Sequence, residues 1–193
     1  QVIATPHLGA ATTEAQEKVA LQIAQQMADY LDSGAVVNAL NMPSVSAEDA
    51  PRLKPYMNLS GQIGGLAGQV IKSGITHVTV EYEGHAAELN TRPVTAALLE
   101  GLLSPMLSGV NMINAPILAK DRGIEVSEVR HERDSEYQTL IRLSVKTENQ
   151  SRTVSGTLFV GDKPRIVEIN GLTLEDELGK NMLYIVNKDR PGF

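Results

Sequence analysis

Between residues 124 and 170 the chain runs through four short apolar-and-polar stretches, 124–131, 138–148, 152–160 and 164–170, broken by turn-forming residues. Asn149–Gln150 offers one hairpin turn. Asn170–Gly171 offers a stronger one, because both residues tolerate positive φ. A fifth stretch, 75–83, alternates: Val78, Val80 and Tyr82 share one face, and His77, Thr79, Glu81 and Glu83 the other. That period of two predicts a strand with one solvated face. Helical patterns over 13–33, 49–73, 93–107 and 114–122 stand before the last four strands. Helices followed by short strands joined through hairpins predict an α+β fold with a mostly antiparallel sheet.

The clearest helix is 13–33. Thr13 and Gln16 have the spacing of a capping box, Val19, Ile23, Met27 and Tyr30 form one apolar face, and Gly34 supplies the stop. A polar linker follows over 35–48. In the 49–73 helix, Pro51 falls near the first turn, and Ile63, Leu66, Val70 and Ile71 make the apolar stripe. Gly61, Gly64, Gly65 and Gly68 interrupt this helix, each at a cost of about 1 kcal/mol against alanine. Close backbone packing against another element compensates such a cost. A phosphate loop is disfavoured, because no strand precedes these glycines and they do not open a helix.

Charge narrows the function classes. Seventeen basic residues against 23 acidic leave a net charge of −6, which argues against a general nucleic-acid binder or a polybasic membrane-surface protein. With no cysteine, the chain has no disulfide, zinc–thiolate or thiol chemistry. The uncharged stretches 55–71 and 101–119 are too polar or too broken by proline and asparagine to cross a bilayer. A cytoplasmic address is the expectation. Gln1 in first place, the apolar run Val2–Ile3–Ala4, and a final strand-like run over 182–186 followed by a turn cluster read as an excerpt of a longer protein.

Four histidines are present. His77, His85 and His131 lie among polar or charged neighbours and read as solvated surface residues. No HxxxH or HExxH spacing occurs, so no metal site is expected. His7 differs. It follows a buried-looking strand end and Thr5–Pro6 and precedes a capped helix, a place where α/β enzymes put catalytic groups. An imidazole there could exchange a proton at neutral pH. Position alone favours a structural loop histidine.

The run Val-Ile-Ala-Thr-Pro-His-Leu-Gly-Ala-Ala-Thr-Thr-Glu-Ala-Gln over 2–16 resembles the catalytic-histidine segment of the NAD-dependent D-2-hydroxyacid dehydrogenases, with Ala11–Thr12 where Ser–Thr is usual. The resemblance continues through Asn111–Pro116, Val154–Leu158 and Ile169–Gly171, which look like the intervening domain of the long-form phosphoglycerate dehydrogenases. Asn187–Gly192 resembles the opening of an ACT domain, a small ligand-binding module. The resemblance implies three parts: residues 1–39 as the tail of a catalytic core, 40–179 as an intervening regulatory or oligomerisation domain, and 180–193 as the start of an ACT domain.

What the resemblance implies for single residues follows from the matched positions. His7 matches the general acid/base. Gly9 and Ala10 match positions whose backbone approaches the nicotinamide end of NAD. Asn187 and Asp189 match effector-binding positions of the ACT loop, and a turn using local Asn and Asp bonds fits them equally. Arg165 matches a basic position of an anion site. Glu177, standing where a second cation belongs, makes a solvated charged strand the better reading of Arg165. The activity implied is oxidation of 3-phosphoglycerate to 3-phosphooxypyruvate in L-serine biosynthesis, with NAD as cofactor, L-serine as a possible effector and a homotetramer as the assembly. The partner Glu, Arg and dinucleotide glycines of the family are not in this chain, so the 193 residues alone are expected to be inactive. Two alternatives stay open: a regulatory and assembly module without catalysis, and a glyoxylate or lactate dehydrogenase. The latter accounts only for residues 2–33.

Overall fold

The computed structural model describes residues 11–71, 73–131, 136–179 and 181–185, with residues 2, 4 and 9. Helix α1 spans Thr13–Ser33. Its N-cap is Thr12, one residue before the expected capping box. The Thr12 side chain accepts from the Ala15 backbone N–H at 3.2 Å, so Thr13 is already helical. Gly34 ends the helix in the left-handed region (φ 78°), and its N–H bonds the Tyr30 carbonyl. The linker that follows is pinned by one antiparallel bridge between Val36 and Val45.

Helix α2 covers Asp49–Val70, ending three residues before the expected limit. Strand β1 (Ile75–Gly84) leads through a 3-10 turn at His85–Glu88 to α3 (Thr91–Leu103) and the short α4 (Ala115–Asp121). The remaining chain is β2 (Glu125–His131), β3 (Thr139–Thr147), β4 (Ser151–Phe159), β5 (Lys163–Ile169) and β6 (Leu172–Asp176). Helix α3 starts two residues earlier and stops four earlier than its periodicity suggested. The Ala- and Leu-rich pattern runs on into 104–107, which winds as turns. The last strand, β6, had no apolar run to announce it.

All six strands form one sheet in the order β2-β1-β3-β4-β5-β6. Every pairing is antiparallel except β1 with β2, which is parallel because α3 and α4 carry the chain across between them. The fold is therefore α+β with a mostly antiparallel sheet. Helices α2 and α3 pack on each other, and α2 lies across β3, β4 and β5. The sheet's inner face carries the apolar half of each alternation: Val78, Val80 and Tyr82 on β1 and Ile141, Leu143 and Val145 on β3 are fully buried.

Two of the glycines of α2, Gly64 and Gly68, serve close packing. A Cβ on Gly64 would collide with the Leu98 carbonyl oxygen, one on Gly68 with that of Leu102, and one on Gly101 of α3 with that of Gly61. The two helix backbones thus meet with nothing between them. Gly156 does the same for β4: a Cβ there would lie 2.8 Å from Leu59 Cδ1 and 2.9 Å from Ile63 Cδ1. Helix α1 is the exception to this economy of space. None of its residues is buried, and Ile23, Met27 and Tyr30 stay at least half exposed.

Candidate functional site

The residues singled out from sequence do not converge on one described site. His7, Ala10, Asn187 and Asp189 lie outside the described residues. Gly9 is an exposed turn residue, and a Cβ built on it meets no atom within 4 Å. Arg165 sits on β5, largely covered. Its Nη1 lies 3.1 Å from Glu177 Oε1, so the acidic residue that stood in place of a second cation holds the guanidinium.

The outer face of the sheet is polar, but not uniformly solvated. Glu81 and Arg142 are register partners, as are Arg142 and Ser155, and Ser155 and Glu168. Arg142 donates from Nε to Ser155 Oγ and from Nη2 to Glu168 Oε2, both at 3.1 Å. These side chains are about a quarter exposed, and Ser155 is wholly buried. Charge-assisted bonds and burial together make this a structural tie across three strands.

His131 was expected to be solvated, and it is half-buried. Parallel pairing sets it beside Glu83 in register, and its Nε2 lies 2.8 Å from Glu81 Oε2. Among the described residues, the ligand atoms of Glu81, Glu83 and His131 lie within 4.8 Å of one another. The Glu81–His131 bond accounts for one pair of this group. His77 keeps its expected exposure, with Nε2 3.1 Å from Glu125 Oε2.

The most connected polar group lies on the other face, where the alternation of β1 had promised only core. Tyr82 Oη is 2.7 Å from Thr95 Oγ1 on α3. Thr95 and Thr91 each donate to the Glu128 carboxylate of β2, at 2.5 and 2.6 Å, and Arg130 Nη2 donates to Thr91 Oγ1 at 2.7 Å. Both threonines are buried. Burial pushes the Tyr82 phenol far above its ordinary range, the neighbouring Glu128 charge adds to this, and the Thr95 bond and Arg130 work against it. One signal could have revealed the group: a tyrosine on a buried face needs a partner for its hydroxyl.

A groove of about 560 Å³ runs beside α1, lined by Ile23, Met27, Tyr30, Val36, Met42 and Ile113. It joins the exposed stripe of α1 to the linker. Among the described residues, no helix is long and apolar enough to cross a membrane.

Comparison with known proteins fits this architecture. Residues 52–170 match the family model described as the D-3-phosphoglycerate dehydrogenase intervening domain. The chain is 38% identical over 192 residues to D-3-phosphoglycerate dehydrogenase of Bacillus subtilis, covering 99% of this chain and 37% of the relative. It is 34% identical over 192 residues to the protein of that name from Methanocaldococcus jannaschii, covering 99% and 36%. It is 37% identical over 208 residues to D-3-phosphoglycerate dehydrogenase 3, chloroplastic, of Arabidopsis thaliana, covering 99% and 35%. The chain spans little more than a third of the length of these curated relatives. The matched region holds α2, α3, α4 and strands β1 to β5, so the chain belongs to the D-3-phosphoglycerate dehydrogenase intervening-domain family.

Proposed function

We propose that this chain is part of an NAD-dependent phosphoglycerate dehydrogenase that oxidises 3-phospho-D-glycerate to 3-phosphooxypyruvate on the route to L-serine. The observation that carries this reading is that relatives bearing that enzyme's name match 99% of the chain, beyond the limits of the intervening domain on both sides. Residues 1–39 would then end the catalytic core, 40–179 form the intervening domain and 180–193 open an ACT domain. The uncovered stripe of α1 supports this division, because a 21-residue helix with no buried residue needs a covering surface to be stable.

In this reading His7 is the chain's chemical contribution. Its imidazole takes the C2 hydroxyl proton as the alcohol becomes a ketone, and returns it in the reverse direction. The hydride leaving C2 would pass to NAD. Gly9 and Ala10 would border the nicotinamide end. Asn187 and Asp189 would face the effector, L-serine. Any anion reaching Arg165 would have to displace Glu177. The parent assembles as a homo-oligomer, a tetramer by family pattern, in the cytoplasm.

The test is paired. The parent enzyme with His7→Asn should lose 10²- to 10⁴-fold in kcat, the usual contribution of a positioned acid/base. The 193-residue chain given 3-phosphoglycerate and NAD should form no NADH. Full activity of the His7→Asn parent would remove His7 from the reaction.

A further inference from the structure

Strand β2 is one edge of the sheet, and among the described residues no strand pairs with its far side. A bare edge offers unpaired N–H and C=O groups to any other strand, and proteins guard against this with proline, lysine, bulges or shortness. The opposite edge is guarded. Strand β6 has five residues, its pairing with β5 is irregular, and it ends in Glu175–Asp176. Strand β2 has none of these devices. It keeps an unbroken register with β1 from Glu125 to His131, contains no proline or lysine, and exposes residues 127–130.

Pairing with β1 fixes the face of each side chain. Ser127 Oγ lies 3.0 Å from Thr79 Oγ1 on the polar face, which Val129 and His131 share, while Glu128 and Arg130 reach the threonines of α3 on the other. In antiparallel strands related by a two-fold axis, residues directly opposite share a face and interact. An axis at Val129 sets Glu128 of each copy opposite Arg130 of the other, Ser127 opposite His131, and Val129 against itself. An axis at Glu128 or Arg130 sets like charges together, and one at Ser127 sets Glu128 against Val126. Glu128 already accepts from Thr91 and Thr95, and Arg130 donates to Thr91. A carboxylate and a guanidinium each keep further hydrogen-bonding sites for a cross-copy pair.

We propose that β2 pairs antiparallel with β2 of a second copy of this chain about a two-fold axis at Val129, joining two six-stranded sheets into one. Backbone hydrogen bonds hold the two edges together. The two Glu128–Arg130 pairs and the Val129 contact select the register, because a slip of one residue replaces attraction with repulsion. The pairing is read from this strand and does not depend on the dehydrogenase reading.

The test is sedimentation velocity on the 193-residue chain over rising concentration. A reversible dimer with a Kd below about 1 mM is expected. Val129→Lys and Val129→Glu each set like charges across the axis and should weaken that dimer about tenfold or more. An equal mixture of the two variants sets opposite charges across it and should restore association. Val129 is 37% exposed, so both variants keep the fold, which the amide shifts of β1 and β3 would verify. A chain that stays monomeric up to about 1 mM overturns the pairing. So does a dimer equally strong in both variants, which another surface such as the α1 stripe would hold. A mixture no more associated than its components also overturns it, because Val129 would then not lie on the axis. None of these results touches the dehydrogenase reading, which the His7→Asn parent tests separately.

Discussion

Tyr82 Oη lies 2.7 Å from Thr95 Oγ1, and the proton between them comes from the tyrosine. The direction follows from stoichiometry. Thr95 has one hydroxyl hydrogen, and Glu128, an acceptor only, takes it at 2.5 Å. Thr95 is left to accept, so Tyr82 must donate. A tyrosinate could not, and burial opposes that charge as well. The phenol is thus held neutral by solvation and by hydrogen-bond direction together.

Stability should therefore fall at high pH through Tyr82. Its folded pKa is raised above the unfolded value near 10, so its stabilising contribution is full below that value and is lost as pH rises toward the folded one. Over that window the loss approaches about 1.4 kcal/mol per pH unit. Other tyrosines and lysines titrate there too, so the measurement is a difference. Urea midpoints of the chain and of Tyr82→Phe, compared at pH 8 and pH 11, should converge at the higher pH. A constant gap would show that Tyr82 does not titrate in the unfolded chain alone.

Glu128 ties β2 to the start of α3. Replacing it with alanine takes from the Thr91 and Thr95 hydroxyls, both buried, the carboxylate to which they donate. A loss of about 1–3 kcal/mol is expected, a drop of several degrees in Tm for a chain of this size. Calorimetry of Glu128→Ala beside Glu125→Ala, whose partner His77 is exposed, reads the difference. Equal Tm values for the two variants would show that the buried network contributes no more than a surface pair.

Gly64→Ala should cost more than its helix propensity gains. In an open helix the change stabilises by about 1 kcal/mol. Here the new methyl meets the Leu98 carbonyl oxygen and the Leu102 amide, both backbone atoms that cannot rotate aside. Separating α2 from α3 to admit it should cost about 1–3 kcal/mol, as overpacking does. Gly65→Ala is the control, because its nearest neighbour stands at 4.0 Å. Thermal melts should place Gly64→Ala below the unaltered chain and Gly65→Ala at or above it.

These residues show which parts of the fold were legible in sequence. The period of two in β1 gave its inner face correctly, because Val78, Val80 and Tyr82 are all buried by one layer of helices. The close packing expected of the α2 glycines holds for Gly64 and Gly68, whereas Gly61 and Gly65 leave room for a Cβ. What local pattern could not give was partnership between distant strands. His131 and Glu81 stand 50 residues apart, and they meet only because β2 pairs parallel to β1. The same holds for Glu128, whose two threonines lie on a helix more than 30 residues upstream. Strand β6 escaped for another reason: it is an edge with four of five residues exposed, so nothing selects an alternating pattern there. The outer residues His7, Asn187 and Asp189 rest on resemblance alone, since a proton-exchanging loop histidine and a structural one share the same local sequence.

The stripe on α1 makes the last prediction. Ile23 and Met27 are at least half exposed, and no residue of the helix is buried. In the 193-residue chain, Ile23→Gln with Met27→Gln should therefore shift stability by no more than about 0.5 kcal/mol, the range of ordinary surface changes. In the parent enzyme the same pair should behave as core substitutions. There the stripe is proposed to be covered, and two buried apolar side chains contribute about 1.5–3 kcal/mol each. Melting both proteins with and without the pair separates the cases. A large drop in the isolated chain would mean that α1 docks on its own domain. No drop in either protein would mean that the stripe faces solvent throughout, and the proposed covering of α1 by the catalytic core would fail.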